Sequence, residues 1–404
     1  MKLRKFAAAL LALTLTGCMS TQHEITTSST EHPEQTTSQT SGETDSVIPD
    51  VSADITSDTS DTSEPGSDEK TRVEALLEQM TPEEKAGQLV LARYPGGDTA
   101  QSVVSDLQPG GFTLFAQDFE DKTPEELTAE LSELQEISGI PLLLAVDEEG
   151  GAVVRISKFP QYRDEKFPAQ SEVLASGGAE GVYSDAAEKS ALLRSLGLNM
   201  NLAPVCDLPR SDLDYIADRA FGTDVNEVVK AVASAVSGYN DNSVISVLKH
   251  FPGYGNNSDT HTGISLDSRP MSEFEELDLK PFVSGIEAGA PVVMVSHNIV
   301  ECVDAELPGS LSPEMYSLVR SLGFDGVIMT DDLSMKAIGT YCGEDEAAVT
   351  AFLAGADLLC STDYESAVKS LTESVRSGRI TEERLDESVS RILEMKIKYG
   401  IIED

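Results

Sequence analysis

The sequence predicts an α/β fold, a (β/α)8 barrel of the TIM type forming a single domain, and three observations carry the prediction. Short apolar runs recur along residues 71–404, helix-length segments separate them, and nearly every run ends in polar residues or glycine. The runs are Gln88–Arg93, Gly111–Ala116, Pro141–Asp147, Asn199–Asp207, Val244–His250, Pro291–His297, Gly326–Asp331 and Ala356–Ser361. Such an alternation is the rhythm of a parallel sheet covered by helices, and eight such units suit a closed barrel. An open doubly wound sheet is the alternative. Its nucleotide-binding version is weakened because no glycine-rich phosphate loop follows the first run.

Taken in order, Lys2, Arg4 and Lys5 precede an apolar run, Ala7–Leu15, that is too short to span a bilayer. Leu15-Thr16-Gly17-Cys18 resembles a bacterial lipobox, with an ordinary signal peptide as the alternative. The lipobox reading makes 1–18 a lipoprotein signal peptide and Cys18 the lipidated residue. The chain is then exported and held on the outer face of the cell membrane through that N-terminal lipid anchor only. Residues 19–70 are dominated by Ser, Thr, Asp and Glu with scattered Pro and few large apolar residues. They cannot bury enough apolar surface to offset ordering and are expected to form a disordered linker.

Globular sequence begins near Thr71. Thr81-Pro82-Glu83-Glu84 and Thr123-Pro124-Glu125-Glu126 each combine an N-cap hydroxyl, Pro at the first helical position and Glu three residues after the cap. Ser312-Pro313-Glu314 is a weaker form. Leu385, Val389, Ile392 and Leu393 share one face of a closing amphipathic helix over Thr381–Tyr399.

Composition excludes some partners. Lys+Arg 29 against Asp+Glu 70 gives a net charge of −41, which opposes nucleic-acid binding and docking to anionic lipid by basic patches. Cys206, Cys302, Cys342 and Cys360 are widely spaced with no CxxC pair. They form neither a metal signature nor a disulfide framework and are expected to be small buried apolar residues. Few aromatic residues and no Trp count against a large aromatic platform.

Chemistry gathers at the ends of the runs: Asp147-Glu148-Glu149, Asp207, Lys249-His250, Ser296-His297 and Thr330-Asp331-Asp332. In a barrel these ends converge on one face. The densest stretch is Lys249–His261, where Pro252, Gly253 and Gly255 break the strand and His261 follows Asp259 by two residues. Carboxylates plus imidazoles suggest either a metal-dependent hydrolase or acid/base and covalent chemistry on a neutral substrate such as a sugar. No HxH or HExxH spacing occurs, which disfavours the metal class; no metal and no cofactor is expected.

Lys249-His250-Phe251-Pro252-Gly253-Tyr254-Gly255 with Asp259-Thr260-His261 resembles the signature of family 3 glycoside hydrolases of the β-N-acetylglucosaminidase (NagZ) type. Further matches are Val146-Asp147-Glu148-Glu149-Gly150-Gly151 with Arg155, Leu202-Ala203-Pro204-Val205, Asp218-Arg219-Ala220-Phe221-Gly222, Leu311-Ser312-Pro313 and Gly323–Leu333. The resemblance covers nearly all of the globular part and implies a (β/α)8 catalytic domain over 71–404. It implies hydrolysis, with retention, of terminal β-linked N-acetylhexosamine from cell-wall or chitin-type saccharides. Asp331 matches the nucleophile that forms a covalent glycosyl-enzyme, and His261 with Asp259 matches the acid/base dyad. Asp147, Arg155, Arg219, Lys249 and His250 match substrate-binding positions, and His297 sits on a family-like strand end as either a contact or a supporting residue.

Two departures stand out against the family pattern. The usual Gly-His-Gly is Gly253-Tyr254-Gly255 here, and the interval from Lys249 to His261 is one residue shorter. A β-glucosidase-type or phosphorolytic member of the family and a non-catalytic, lipid-anchored sugar-binding protein are the alternatives. The sequence does not specify an oligomeric state.

Overall fold

Runs of Val, Ile and Leu with no polar face cannot sit at a solvent surface, and they form the centre of the molecule. The computed structural model describes residues 65–257, Gly263 and residues 265–403. Cys18, Asp259 and His261 lie outside the described residues, as does the expected linker up to residue 64. All described residues fall in one unit, Thr62–Asp404.

Eight strands are arranged in one parallel sheet: β1 (Val90–Arg93), β2 (Gly111–Leu114), β3 (Leu143–Val146), β4 (Met200–Asn201), β5 (Ile245–Phe251), β6 (Val292–Val295), β7 (Val327–Thr330) and β8 (Leu359–Ser361). Their order is β8-β1-β2-β3-β4-β5-β6-β7. A parallel bridge from Met329 of β7 to Leu358, just before β8, brings the two ends of the sheet together. This is the expected (β/α)8 barrel of TIM type, not an open doubly wound sheet. Strands β2, β3, β6 and β7 are buried along their whole length, as strands must be when helices cover one face and packed side chains the other.

The fourth run is the one that differs most from expectation. Only Met200–Asn201 of Asn199–Asp207 forms regular strand, because Pro204 has no N–H to give the ladder. The chain stays beside β5 through a bridge from Val205 to Lys249 and a Cys206 N–H that donates to the Lys249 carbonyl at 2.6 Å. Its end at Asp207 therefore still reaches the same rim.

Helix starts follow the local signals. Thr81 and Thr123 each close a capping box with Glu84 and Glu126, and the Ser312 hydroxyl accepts from the Met315 N–H. The closing helix spans Glu382–Lys398 with Thr381 as its cap and Leu385, Val389, Ile392 and Leu393 buried. The first helix starts at Pro65 and so takes in residues 65–70 of the expected linker. Val73 seats it on the core with Leu76 and Leu77 packed beside it, and Pro at its start suits a first turn.

At the rim where the strands begin, Asp357 draws three helical cations together. Its carboxylate accepts from Arg320 at 2.6 Å, Arg391 at 3.0 Å and the Ser388 hydroxyl at 2.6 Å, with Arg384 at 3.7 Å. Nearby, Lys396 is fully buried and donates to Gln88 Oε1 at 2.8 Å. Burial pushes the Lys396 pKa down to about 7. The unfolded chain keeps its proton up to the ordinary value of 10.5, so stability rises with pH across that window. Lys396→Met is expected to raise the melting temperature by a few degrees at pH 6, the gain shrinking towards pH 10. Thermal unfolding across that range checks this; a gain independent of pH would contradict it.

Candidate active site

Every strand delivers a side chain to one cavity of about 530 Å³ at the rim where the strands end, a size suited to a small ligand. Arg93, Thr113, Asp147, Leu202, Lys249, Met294, Asp331 and Cys360 come in turn from or beside β1 to β8. Phe115, Tyr215, Tyr254 and Met335 add apolar wall.

Lys249 is the central cation. The pairing register shifts between Leu248 and Phe251, at the Lys249–His250 peptide, which is cis. Lys249 is 2 % exposed, and its Nζ donates to Asp147 Oδ1 and lies beside Glu149 Oε1, both at 2.7 Å. Burial disfavours its charge, but the two carboxylates outweigh that and raise its pKa above the ordinary lysine value. Burial likewise works against ionised Glu149, yet Lys249 and Arg219 hold its carboxyl down at about 2. Asp147, opposed by burial and favoured by Lys249 and Arg155, is also lowered.

The charges continue in a line. Arg219 donates to Glu149 from Nε at 2.9 Å and Nη2 at 2.7 Å, and its Nη2 lies 3.2 Å from His250 Nε2. A guanidinium can only donate, so Nε2 accepts and the His250 proton sits on Nδ1, which donates to Asp207 at 2.7 Å. Asp207 also accepts the backbone N–H groups of His250 at 3.1 Å and Tyr254 at 2.7 Å. The Tyr254 ring meets His250 edge-on at 5.2 Å and Tyr215 at 5.9 Å.

Glu148 has a different task from its neighbours. Fully buried, it accepts the N–H groups of Arg155, Ile156 and Ser157 at 2.8, 2.8 and 3.2 Å. That bends the loop after β3 so that the Arg155 Nη2 comes within 3.5 Å of Asp147 Oδ2. Arg155 and Arg93 both lie against the Phe115 ring.

Asp331 follows β7, its N–H donating to the Val295 carbonyl at 3.1 Å and its Oδ1 accepting the Asp332 N–H at 2.8 Å. Asp332 also borders the cavity and ties the loop after β8. It accepts from the Thr362 hydroxyl at 2.7 Å and from the N–H groups of Ser334 and Thr362. His297 is fully buried and is not among the residues lining the cavity. Its Nε2 donates to the Asp332 carbonyl at 2.9 Å and its Nδ1 lies 2.7 Å from the Ser310 hydroxyl, so it supports the turn that carries Asp331.

Asp147, Arg155, Arg219, Lys249, His250 and Asp331 therefore all reach one cavity, whereas Asp259 and His261 lie outside the described residues. Sequence reading left Glu149 and Asp207 without roles, although both stand at run ends, and it missed Phe115, Tyr215 and Cys360. Of the four described cysteines Cys206 is fully buried, while Cys302, Cys342 and Cys360 are partly buried and packed against the core; Cys360 also borders the cavity because it lies at a strand end. Among the described residues no cluster of His, Cys, Asp or Glu is arranged to hold a metal ion.

A family model described as the glycosyl hydrolase family 3 N terminal domain matches residues 81–395. The chain belongs to glycosyl hydrolase family 3. This family 3 glycoside hydrolase is similar to Beta-hexosaminidase LpqI of Mycobacterium tuberculosis (strain ATCC 25618 / H37Rv), 30% identical over 330 residues covering 78% of this chain and 83% of that protein. It is also similar to the structure of a family 3 β-N-acetylglucosaminidase from Paenibacillus sp. str. FPU-7, with TM-score 0.75, 34% identity and 80% of this chain covered. A third likeness is to β-glucoside phosphorylase BglX bound to 2FGlc, with TM-score 0.74, 26% identity and 83% of this chain covered. The chain spans 63% and 62% of those two longer chains.

Lys249→Met leaves two buried carboxylates around a missing cation, and removing one partner of a buried pair costs about 3–5 kcal/mol. In the native enzyme the lowered Glu149 and Asp147 stabilise the fold above their unfolded pKa values of 4.5 and 3.8, and that contribution fades in acid. In the variant burial dominates and neutral pH becomes the costly condition. Denaturant unfolding is expected to show a larger deficit at pH 7 than at pH 4.

Proposed function

We propose that this family 3 enzyme is a retaining exo-β-N-acetylhexosaminidase. It removes terminal β-linked N-acetylhexosamine from cell-wall or chitin-type saccharides. The observation that carries the reading is the placing of Asp331 in the same cavity as the Asp147–Lys249–Glu149–Arg219–His250 line. The similarity to proteins named β-hexosaminidase supports the choice of sugar.

In this mechanism Asp147 accepts hydrogen bonds from sugar hydroxyls, while Lys249, Arg219 and Arg155 donate to sugar oxygens. Asp331 attacks the anomeric carbon and forms a glycosyl-enzyme with inversion; water then releases the sugar with a second inversion, so configuration is retained overall. His261, oriented by Asp259, gives its proton to the leaving oxygen in the first step and takes one from water in the second. The sequence supports this dyad through its Asp-Thr-His motif alone. The lipobox at Cys18 supports a lipid-anchored enzyme outside the cell, acting on fragments of wall or imported amino sugars.

A second reading, transfer of the sugar to phosphate, has support in the likeness to a β-glucoside phosphorylase. Purified protein incubated with aryl β-N-acetylglucosaminide is expected to release the phenol, with Asp331→Ala reducing the rate by about a thousandfold or more. Activity only on the aryl β-glucoside, or unchanged release by Asp331→Ala, would sink the proposal. Added phosphate is expected to leave free N-acetylhexosamine as the product; accumulation of the sugar 1-phosphate would favour the second reading.

A further inference from the structure

Beneath the loop that follows β5 lies an ion cluster that the proposed chemistry leaves unused. Arg269 donates to Asp267 from Nε at 3.0 Å and Nη2 at 2.6 Å, to Asp278 from Nη1 at 2.9 Å, and to the Gly253 carbonyl from Nη2 at 3.1 Å. Asp278, fully buried, is shared with Arg210. Arg210 in turn donates to the Leu208 carbonyl at 2.6 Å in the loop after β4. Asn257 adds a hydrogen bond to Asp267.

The glycines show how closely the chain is drawn in. A Cβ on Gly255 would stand 2.4 Å from Arg269 Nη1, and one on Gly253 would stand 2.9 Å from Asp278 Oδ1. Both residues also have positive φ, 54° and 119°, so glycine is required twice over. The outgoing limb, Gly253 to Asn257, and the returning limb, Asp267 to Arg269, are thus tied to one another through a single set of buried charges.

We infer that the Arg210–Asp278–Arg269–Asp267 cluster, with Asn257, is a positioning device for the loop between its two limbs, acting on proton delivery to the leaving group. The inference rests on the reading of Asp259 and His261, which that loop carries, as the acid/base dyad. Fixing both limbs lowers the number of arrangements from which the proton can be passed, which is the source of rate in a preorganised site.

The test uses the full enzyme, Asn257→Ala and Arg269→Lys, and two aryl β-N-acetylglucosaminides. One has a 2,4-dinitrophenol leaving group, which departs without a proton, and the other has phenol, which needs one. Both variants are expected to lose about tenfold or more in kcat/KM on the phenyl substrate while staying within about twofold on the dinitrophenyl one. A mere loss of stability lowers both equally, and equal losses, or none, overturn the inference. His261→Ala is measured alongside. If it shows no leaving-group dependence, the proton-donor reading fails and this inference with it; if it does and the two variants do not, only the inference falls.

Discussion

Lys249 carries a positive charge into the barrel with 2 % of its surface exposed, and an unpaired ammonium there would cost far more than the fold could supply. Two carboxylates from the turn after β3 answer it, and each of those is buried enough to need the cation in return. Arg219 then becomes necessary because Glu149 has a second oxygen to satisfy, and His250 and Asp207 follow from Arg219. Three strand ends are locked to one another by a requirement of charge balance, before any ligand is considered. The donors that would grip a sugar are consequently held in place in advance, and little reorganisation remains to be done during reaction.

The same logic explains the division of labour among neighbouring acids. Asp147, Glu148 and Glu149 are adjacent in sequence yet face three different environments: cavity, backbone amides and the Lys249–Arg219 pair. Asp331 and Asp332 both border the cavity, and Asp332 in addition ties two loops. Tyr254 stands where the resemblance to the family signature leads to an expectation of His. It keeps a ring against His250 and leaves Asp207 to orient the imidazole, so the loss of a second imidazole does not disturb the line of charges.

Much of the fold was legible because its signals are local. Apolar runs, capping boxes at Thr81 and Thr123, and the stripe on the closing helix depend only on residues a few positions apart. The shortening of β4 was less so, since it turns on a missing donor at Pro204 against a partner strand. Of the site, the strand-end polar residues were readable, because a charged residue closing an apolar run has few structural reasons to be there. Phe115, Tyr215 and Cys360 carry no such mark; an aromatic ring or thiol reads as core wherever it falls.

By itself, the sequence determined that eight apolar runs and their intervening helices form a barrel, and which acids, cations and imidazoles stand at the ends. Tertiary structure alone decided which of them meet: Lys249 with Asp147 across 102 residues, Arg219 with Glu149 across 70. Periodicity and capping are set by bonds within a turn or a strand, whereas these pairings exist only once the sheet curls round on itself and neighbouring strands bring distant residues within hydrogen-bonding reach. Charge balance in a space without water then selects which partner each group keeps.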